Sequence, residues 1–166
     1  WRLIYENPIA QIEVILKEIT HICISHEHPD HFSVPFFKKF NEKLIENKIQ
    51  IIFQETRDKR VASFLENKIG LQVIQAQNKK WLELSSSVRL MVYKNGYIDS
   101  SLIVETNNAI VINLNDCDFT RAELVWLKSN LPKGKHRIIA NQFSYAAWRG
   151  DENWLRKASH FKLENF

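Results

Sequence analysis

The chain has 166 residues, of which 45% are hydrophobic and 25% charged; it can bury a core as one globular domain or part of one, and neither a disordered nor a fibrous class fits. Net charge is +4, but Lys and Arg are spread along the chain, and the densest basic stretch, Lys133 to Arg137, is short and reads as a solvated loop, so no nucleic-acid partner is expected. The two cysteines, Cys23 and Cys117, make no disulfide framework, and no signal peptide or membrane-length apolar run stands out, so the expectation is a reduced, cytoplasmic protein with a small-molecule substrate and no membrane partner.

The opening Trp1-Arg2-Leu3-Ile4-Tyr5 reads as a short strand without a start residue, as expected for a piece of a longer protein, and Asn7-Pro8 as a break. Ile9, Ile12, Ile15, Leu16 and Ile19 recur at helical spacing. A strand over Thr20 to Ser25 follows, and then a loop rich in histidine. Val34 to Glu46 reads as a helix with Ser33 as N-cap and Pro35 in its first turn. Lys48 to Phe53 reads as a strand, Arg57 to Ile69 as a helix ended by Gly70, and Leu71 to Ile74 as a strand. Strand and helix alternate here as in an α/β layer.

The second half changes character. Trp81 to Leu84, Val88 to Lys94, Ile98 to Val104 and Ala109 to Asn113 are short strands, with Asn95-Gly96 the strongest hairpin cue and Asn107-Asn108 another turn. Thr120 caps a helix from Arg121 to about Asn130, Glu123 takes the capping-box position, and Ala122, Val125 and Trp126 share one face. Pro132 to Lys135 is a turn, His136 to Ala140 a strand, and Asp151 to about Lys162 a final helix.

The strongest signal is Ser25-His26-Glu27-His28-Pro29-Asp30-His31, which holds three of the six histidines in six consecutive positions. In an extended backbone, side chains at i and i+2 point the same way, so His26, His28 and Asp30 can share one side as the chain leaves a strand. Pro29 biases His28 toward an extended backbone. A turn near His31 would create two neighbouring ligand sets, His26 with His28 and Asp30 with His31. Imidazole and carboxylate are ligands that zinc, iron or manganese accepts, and a catalytic site keeps a position for water. The competing reading is a solvated loop. His21, His136 and His160 have no spaced partner and read as structural or surface residues.

An apolar strand followed by H-x-H-x-D-H resembles the metal-binding signature of the metallo-β-lactamase superfamily. Further stretches sharpen the likeness: Asp99-Ser100-Ser101-Leu102-Ile103-Val104-Glu105, Leu114-Asn115-Asp116-Cys117 and Gln142-Phe143-Ser144-Tyr145-Ala146-Ala147-Trp148. Together they are similar to the branch of lactonase-like hydrolases and CMP-N-acetylneuraminate hydroxylase-like proteins. The resemblance implies an α/β chain with an αββα sandwich, a single domain over 1–166, incomplete at its N-terminal and C-terminal ends. It implies a divalent metal, zinc first and iron or manganese as alternatives, held by His26, His28, Asp30, His31 and Asp116. Read alone, Asp116 is better explained as a turn or cap residue and Cys117 as a buried structural thiol, while the aromatics Phe143, Tyr145 and Trp148 are equally well explained as packing.

The implied function is a metal-dependent hydrolase acting through a metal-activated water, with Asp30 orienting that water or accepting its proton, on an acidic sugar, phosphoester or lactone. The alternatives are the substrate-binding part of a Rieske-linked monooxygenase and a degenerate binding domain. Two departures from the family pattern matter. No histidine occurs between His31 and His136, so Asp99 or Tyr97 would have to replace the family's third histidine. The family's late histidine is also absent where Gln142-Phe143-Ser144 stands.

Overall fold

The computed structural model describes residues 9–141. The expected strand over 1–5, the Gln142 to Trp148 stretch, the final helix and His160 lie outside the described residues. The chain divides after Ala76 into two compact units. Among the described residues no helix is long and apolar enough to cross a membrane.

The first unit is a three-stranded parallel sheet with its helices. Strands β1 (His21–Ile24), β2 (Gln50–Gln54) and β3 (Val73–Ala76) lie in the order β1-β2-β3, with Ile22 opposite Ile51 and Ile52 opposite Ile74. Helix α1 (Ile9–Glu18) leads into β1, and both connections within the sheet are helical, as parallel pairing requires: α2 (Val34–Glu46) joins β1 to β2, and residues 60–69 join β2 to β3. Central β2 is buried almost throughout, its apolar Ile51, Ile52 and Phe53 flanked by Gln50 and Gln54, as fits a strand covered on both faces. Helix α2 buries Phe37, Phe40 and Leu44, one stripe at helical spacing, beside Leu16, Ile51, Phe53 and Leu65. Its cap is as the spacing predicts: the Ser33 side chain accepts from the Phe36 N–H at 3.3 Å. In α1 only part of the apolar repeat is used, since Leu16 is buried while Ile9 and Ile15 stand exposed.

The expected helix over 57–69 is broken differently. Lys59 adopts a left-handed φ of 52° and Asp58 accepts the Arg60 N–H, so 57–59 form a turn and helix α3 spans only Arg60–Phe64. A π-helical turn, Leu65–Ile69, follows, and Gly70 at φ 82° ends it by donating its N–H to the Leu65 carbonyl. The next strand accordingly starts at Val73 rather than Leu71.

The second unit is a five-stranded sheet in sequential order: β4 (Trp81–Glu83), β5 (Arg89–Asn95), β6 (Asp99–Glu105), β7 (Ala109–Asn113) and β8 (His136–Ala140). All pairs are antiparallel except β7 with β8, whose connection carries helix α4 (Arg121–Asn130). The Asn95-Gly96 hairpin forms, with Asn95 opposite Asp99 and a three-residue loop in which Gly96 supplies a φ of 61°. Thr120 and Glu123 make the full capping box. The buried face of α4 differs from the expected one. Leu124 and Leu127 are buried and Val125 is exposed, because the longer leucines fill the space beside Tyr93, Ile110 and Ile112 that Ala122 and Val125 would leave empty.

A charge cluster closes the far end of this sheet. Glu105, 7% exposed, pairs with Arg89 and Lys135, and Arg89 lies over the Trp81 ring at 4.4 Å. Lys135 also donates to the Thr106 carbonyl, so part of the basic stretch at 133–137 is consumed in structure. Burial pushes the Glu105 carboxyl up, but hydrogen bonds from Lys135 and Arg89 outweigh it and hold the group below the usual carboxylate range. A depressed pKa contributes stability present above the unfolded value, about 4.3, and lost as pH falls through the folded value. Glu105→Gln should cost about 2–3 kcal/mol at pH 7, less than a fully orphaned charge because Arg89 and Lys135 reach solvent. In denaturant titrations that gap should narrow progressively as pH falls below the unfolded value. On β1, burial pushes the Cys23 thiol up to about 11, so roughly one thiol in a thousand is ionised at pH 8. Iodoacetamide at pH 8 should label Cys23 far more slowly in the folded protein than in denaturant.

Candidate metal centre

Open α/β sheets bind ligands beyond the carboxyl ends of their strands. The histidine loop leaves β1 at that edge. The chain turns early: the His28 carbonyl accepts the N–H groups of both His31, at 2.9 Å, and Phe32, at 2.7 Å. This turn ends the extended alternation at His28, so Asp30 is not placed by i, i+2 geometry, and the same turn swings His31 back over His26. The two rings lie 4.1 Å apart between centroids at a 36° tilt.

His26 is wholly buried, at 0% exposure. Its Nε2 stands 3.0 Å from His28 Nδ1, and its Nδ1 3.0 Å from Ser25 Oγ. The first contact bears on metal binding. Two imidazole nitrogens at 3.0 Å either share one proton or turn two lone pairs toward a common cation. Nitrogens that far apart can each lie about 2.0–2.1 Å from one metal at an angle of roughly 95°, within reach of octahedral or tetrahedral coordination. His31 and Asp30 form a second pair, with Nε2 and Oδ2 3.8 Å apart, His31 half-buried and Asp30 exposed. The donors are nitrogen and oxygen only, which fits zinc, iron or manganese.

Residues that the sequence did not single out hold this loop. Ser25 is buried, and its Oγ lies 3.3 Å from His31 Nδ1 as well as beside His26. Gln54, buried at the end of β2, donates from its side chain to the Ser25 carbonyl at 3.1 Å. Arg60 reaches from α3 to pair with Glu27 at 2.8 Å and with Asp58 at 2.6 Å. A buried-strand end followed by Ser-His is the signal that could have found Ser25; Gln54 needs the strand pairing. Beside His28 opens a cavity of about 640 Å³, walled by Phe32, Val34, Val61 and Phe64 with Glu27 and Arg60 at its rim.

Asp116 belongs to the second unit, in the loop that follows β7. That loop is braced from the β5–β6 hairpin. Ser101 Oγ donates to the Leu114 carbonyl at 3.1 Å, and the Asn115 side chain to the Ser100 carbonyl at 3.0 Å. Asn95 Oδ1 accepts the Asp118 N–H at 2.9 Å, and its Nδ2 donates to Glu123 at 3.2 Å. Thus the Asp99-Ser100-Ser101 stretch anchors the Asp116 loop, while its last residue, Glu105, serves the charge cluster. Asn115 takes a left-handed φ of 49° to make the turn. Cys117 is fully buried in the core of this unit. Of the two proposed replacements for a third histidine, Tyr97 stands entirely in solvent at the hairpin loop, which removes it as a ligand, and Asp99 lies at the hairpin base opposite Asn95. Neither His21 nor His136 joins a metal-capable cluster among the described residues.

No family model matches the chain. It is 28% identical to the cytidine monophosphate-N-acetylneuraminic acid hydroxylase of Xenopus laevis, over 70% of this chain and 20% of that protein. It is also 28% identical to the hydroxylase of the same name from Sus scrofa, over 99% of this chain and 38% of that protein. The chain therefore spans between a fifth and two fifths of the curated relatives it matches. Among solved structures, a mutant of CmlA beta-hydroxylase superposes with a TM-score of 0.58 at 10% identity, covering 87% of this chain and 31% of that one. The metallo-β-lactamase fold protein YhfI from Bacillus subtilis superposes with a TM-score of 0.50 at 12% identity, covering 67% of this chain and 46% of that one. The chain thus shares the fold of these two structures, metallo-β-lactamase fold protein YhfI among them, and is similar in sequence to part of the cytidine monophosphate-N-acetylneuraminic acid hydroxylases.

Proposed function

We propose that this chain is the metal-binding part of a larger metal-dependent enzyme, and that its reaction is a hydroxylation. The observation that carries metal binding is the approach of buried His26, through its Nε2, to Nδ1 of the exposed His28 at 3.0 Å. His26 and His28 hold one divalent ion, and Asp30 with His31 serves a second; Asp116 is the further ligand that the family resemblance implies. When bound, the metal supplies Lewis acidity and, if it is iron, a centre for oxygen chemistry; zinc or manganese would support hydrolysis. The hydroxylase names of the sequence relatives and of one structural neighbour favour oxygen insertion over the hydrolysis that the histidine motif suggests first.

The residues of this chain would divide the work. The apolar wall of the cavity excludes water from one side of a substrate beside His28. Arg60 offers a planar pair of donors to a carboxylate or phosphate, in competition with Glu27 and Asp58, which suits an acidic sugar or phosphoester. Asp30, exposed, orients a water or takes its proton. Hydroxylation consumes dioxygen, two electrons and two protons and releases one water, so a reductant is required. An iron–sulfur domain elsewhere in the longer protein is the source that the hydroxylase resemblance implies. Hydrolysis is the second reading; it needs only the metal and water.

The test is the metal content and activity of the full-length protein beside the His26→Ala/His28→Ala double variant. We expect one to two equivalents of metal in the parent and binding weakened at least about 100-fold in the variant. Product formation should follow oxygen uptake and stop under argon. Turnover that persists without oxygen assigns hydrolysis instead, and a parent that takes up neither zinc nor iron overturns both enzyme readings in favour of a binding domain.

A further inference from the structure

We infer that Ser25 is a positioning residue whose single hydroxyl sets the tautomer of one imidazole in each ligand pair, His26 of the first and His31 of the second. The inference rests on the metal-binding reading above, and it asserts a property that the metal-free protein already has.

Ser25 Oγ lies 3.0 Å from His26 Nδ1 and 3.3 Å from His31 Nδ1, and it reaches both because those rings are stacked 4.1 Å apart. Ser25 is only 5% exposed, and Gln54 grips its carbonyl, so the hydroxyl has little freedom to turn away. A hydroxyl carries one proton and two acceptor lone pairs. It can therefore donate to one ring at most, and at least one of the two rings must donate its Nδ1–H to it.

Three arrangements satisfy that count. If Ser25 donates to His26, the His26 proton sits on Nε2, where it is shared with His28 Nδ1 and blocks the first ligand pair. If Ser25 donates to His31, the proton sits on the Nε2 that faces Asp30 and blocks the second. Only when both rings donate are both Nε2 atoms bare toward His28 and Asp30. A ligating histidine is ordinarily fixed in this way by what its other nitrogen bonds. Here one oxygen fixes two rings, so the ligand pairs share a determinant although they share no ligand. His28 differs: in the metal-free protein its Nδ1–H donates to His26, and it must give up that proton when a metal enters.

The experiment compares the full-length protein with Ser25→Ala and Ser25→Thr. Imidazole nitrogen NMR on the metal-free proteins reads the tautomers of His26 and His31, and competition titration with zinc reads affinity. Both rings should be Nδ1–H in the parent and in the threonine variant, which retains the hydroxyl. The alanine variant should shift at least one ring toward Nε2–H and bind zinc about 10- to 100-fold more weakly, with threonine within about threefold of the parent. Unchanged tautomers in the alanine variant, or an Nε2–H ring in the parent, would overturn the role of Ser25 while metal binding stands. If the parent binds no zinc, the metal reading fails, and the tautomers still decide whether Ser25 sets the rings.

Discussion

A buried imidazole must have both of its nitrogens met, and in this chain the histidine loop depends on how His26 meets that requirement. Leaving either nitrogen without a partner would cost about 1–3 kcal/mol. Ser25 on one side and His28 on the other supply the partners, at 3.0 Å each. Around that ring the loop has little choice. His28 must keep its Nδ1 inward, Ser25 must keep its hydroxyl between two rings, and the turn at the His28 carbonyl returns His31 to the same corner.

The first unit exists to make such a corner possible. A parallel sheet needs a helix in each crossover, and the carboxyl edge of its strands is then left to loops. β1 delivers Ser25 and His26 at that edge, and β2 delivers Gln54 one strand over to hold the Ser25 carbonyl. The start of α2 and the short α3 wall the adjoining cavity and send Arg60 to Glu27. In the second unit a different device gives the Asp116 loop its shape. There, side chains of a hairpin, Asn95 and Ser101, hold a left-handed turn at Asn115. Both loops are thus held by small polar side chains that bond to backbone, the arrangement that keeps irregular chain ordered next to a packed core.

Much of this was legible in the sequence because local chemistry decides it. Ser33 before Val34-Pro35 and Thr120 three residues before Glu123 each bond to nearby backbone, so those helix starts fell where the spacing put them. The ligand-type residues are contiguous, and the strand before them is apolar. What stayed hidden depends on contacts distant in sequence. Gln54 reads as one more strand residue until β2 is paired with β1, and Asn95 reads as a turn former until it is seen bonding Asp118, 23 positions on. The face of α4 was misread because helical spacing admits two overlapping stripes, and the volume of Leu124 and Leu127 chose between them. The helix expected from Arg57 failed on the left-handed Lys59, which no propensity announces.

Every chemical step proposed for this chain passes through two nitrogens, His26 Nε2 and His28 Nδ1. X-ray absorption at the metal edge of the full-length protein, loaded with one equivalent of iron or zinc, tests them most directly. The account predicts a nitrogen and oxygen shell near 2.0–2.1 Å with the outer-shell scattering of at least two imidazoles, reduced when His26 and His28 are both alanine. A shell without imidazole scattering, or one dominated by sulfur near 2.3 Å, would contradict it.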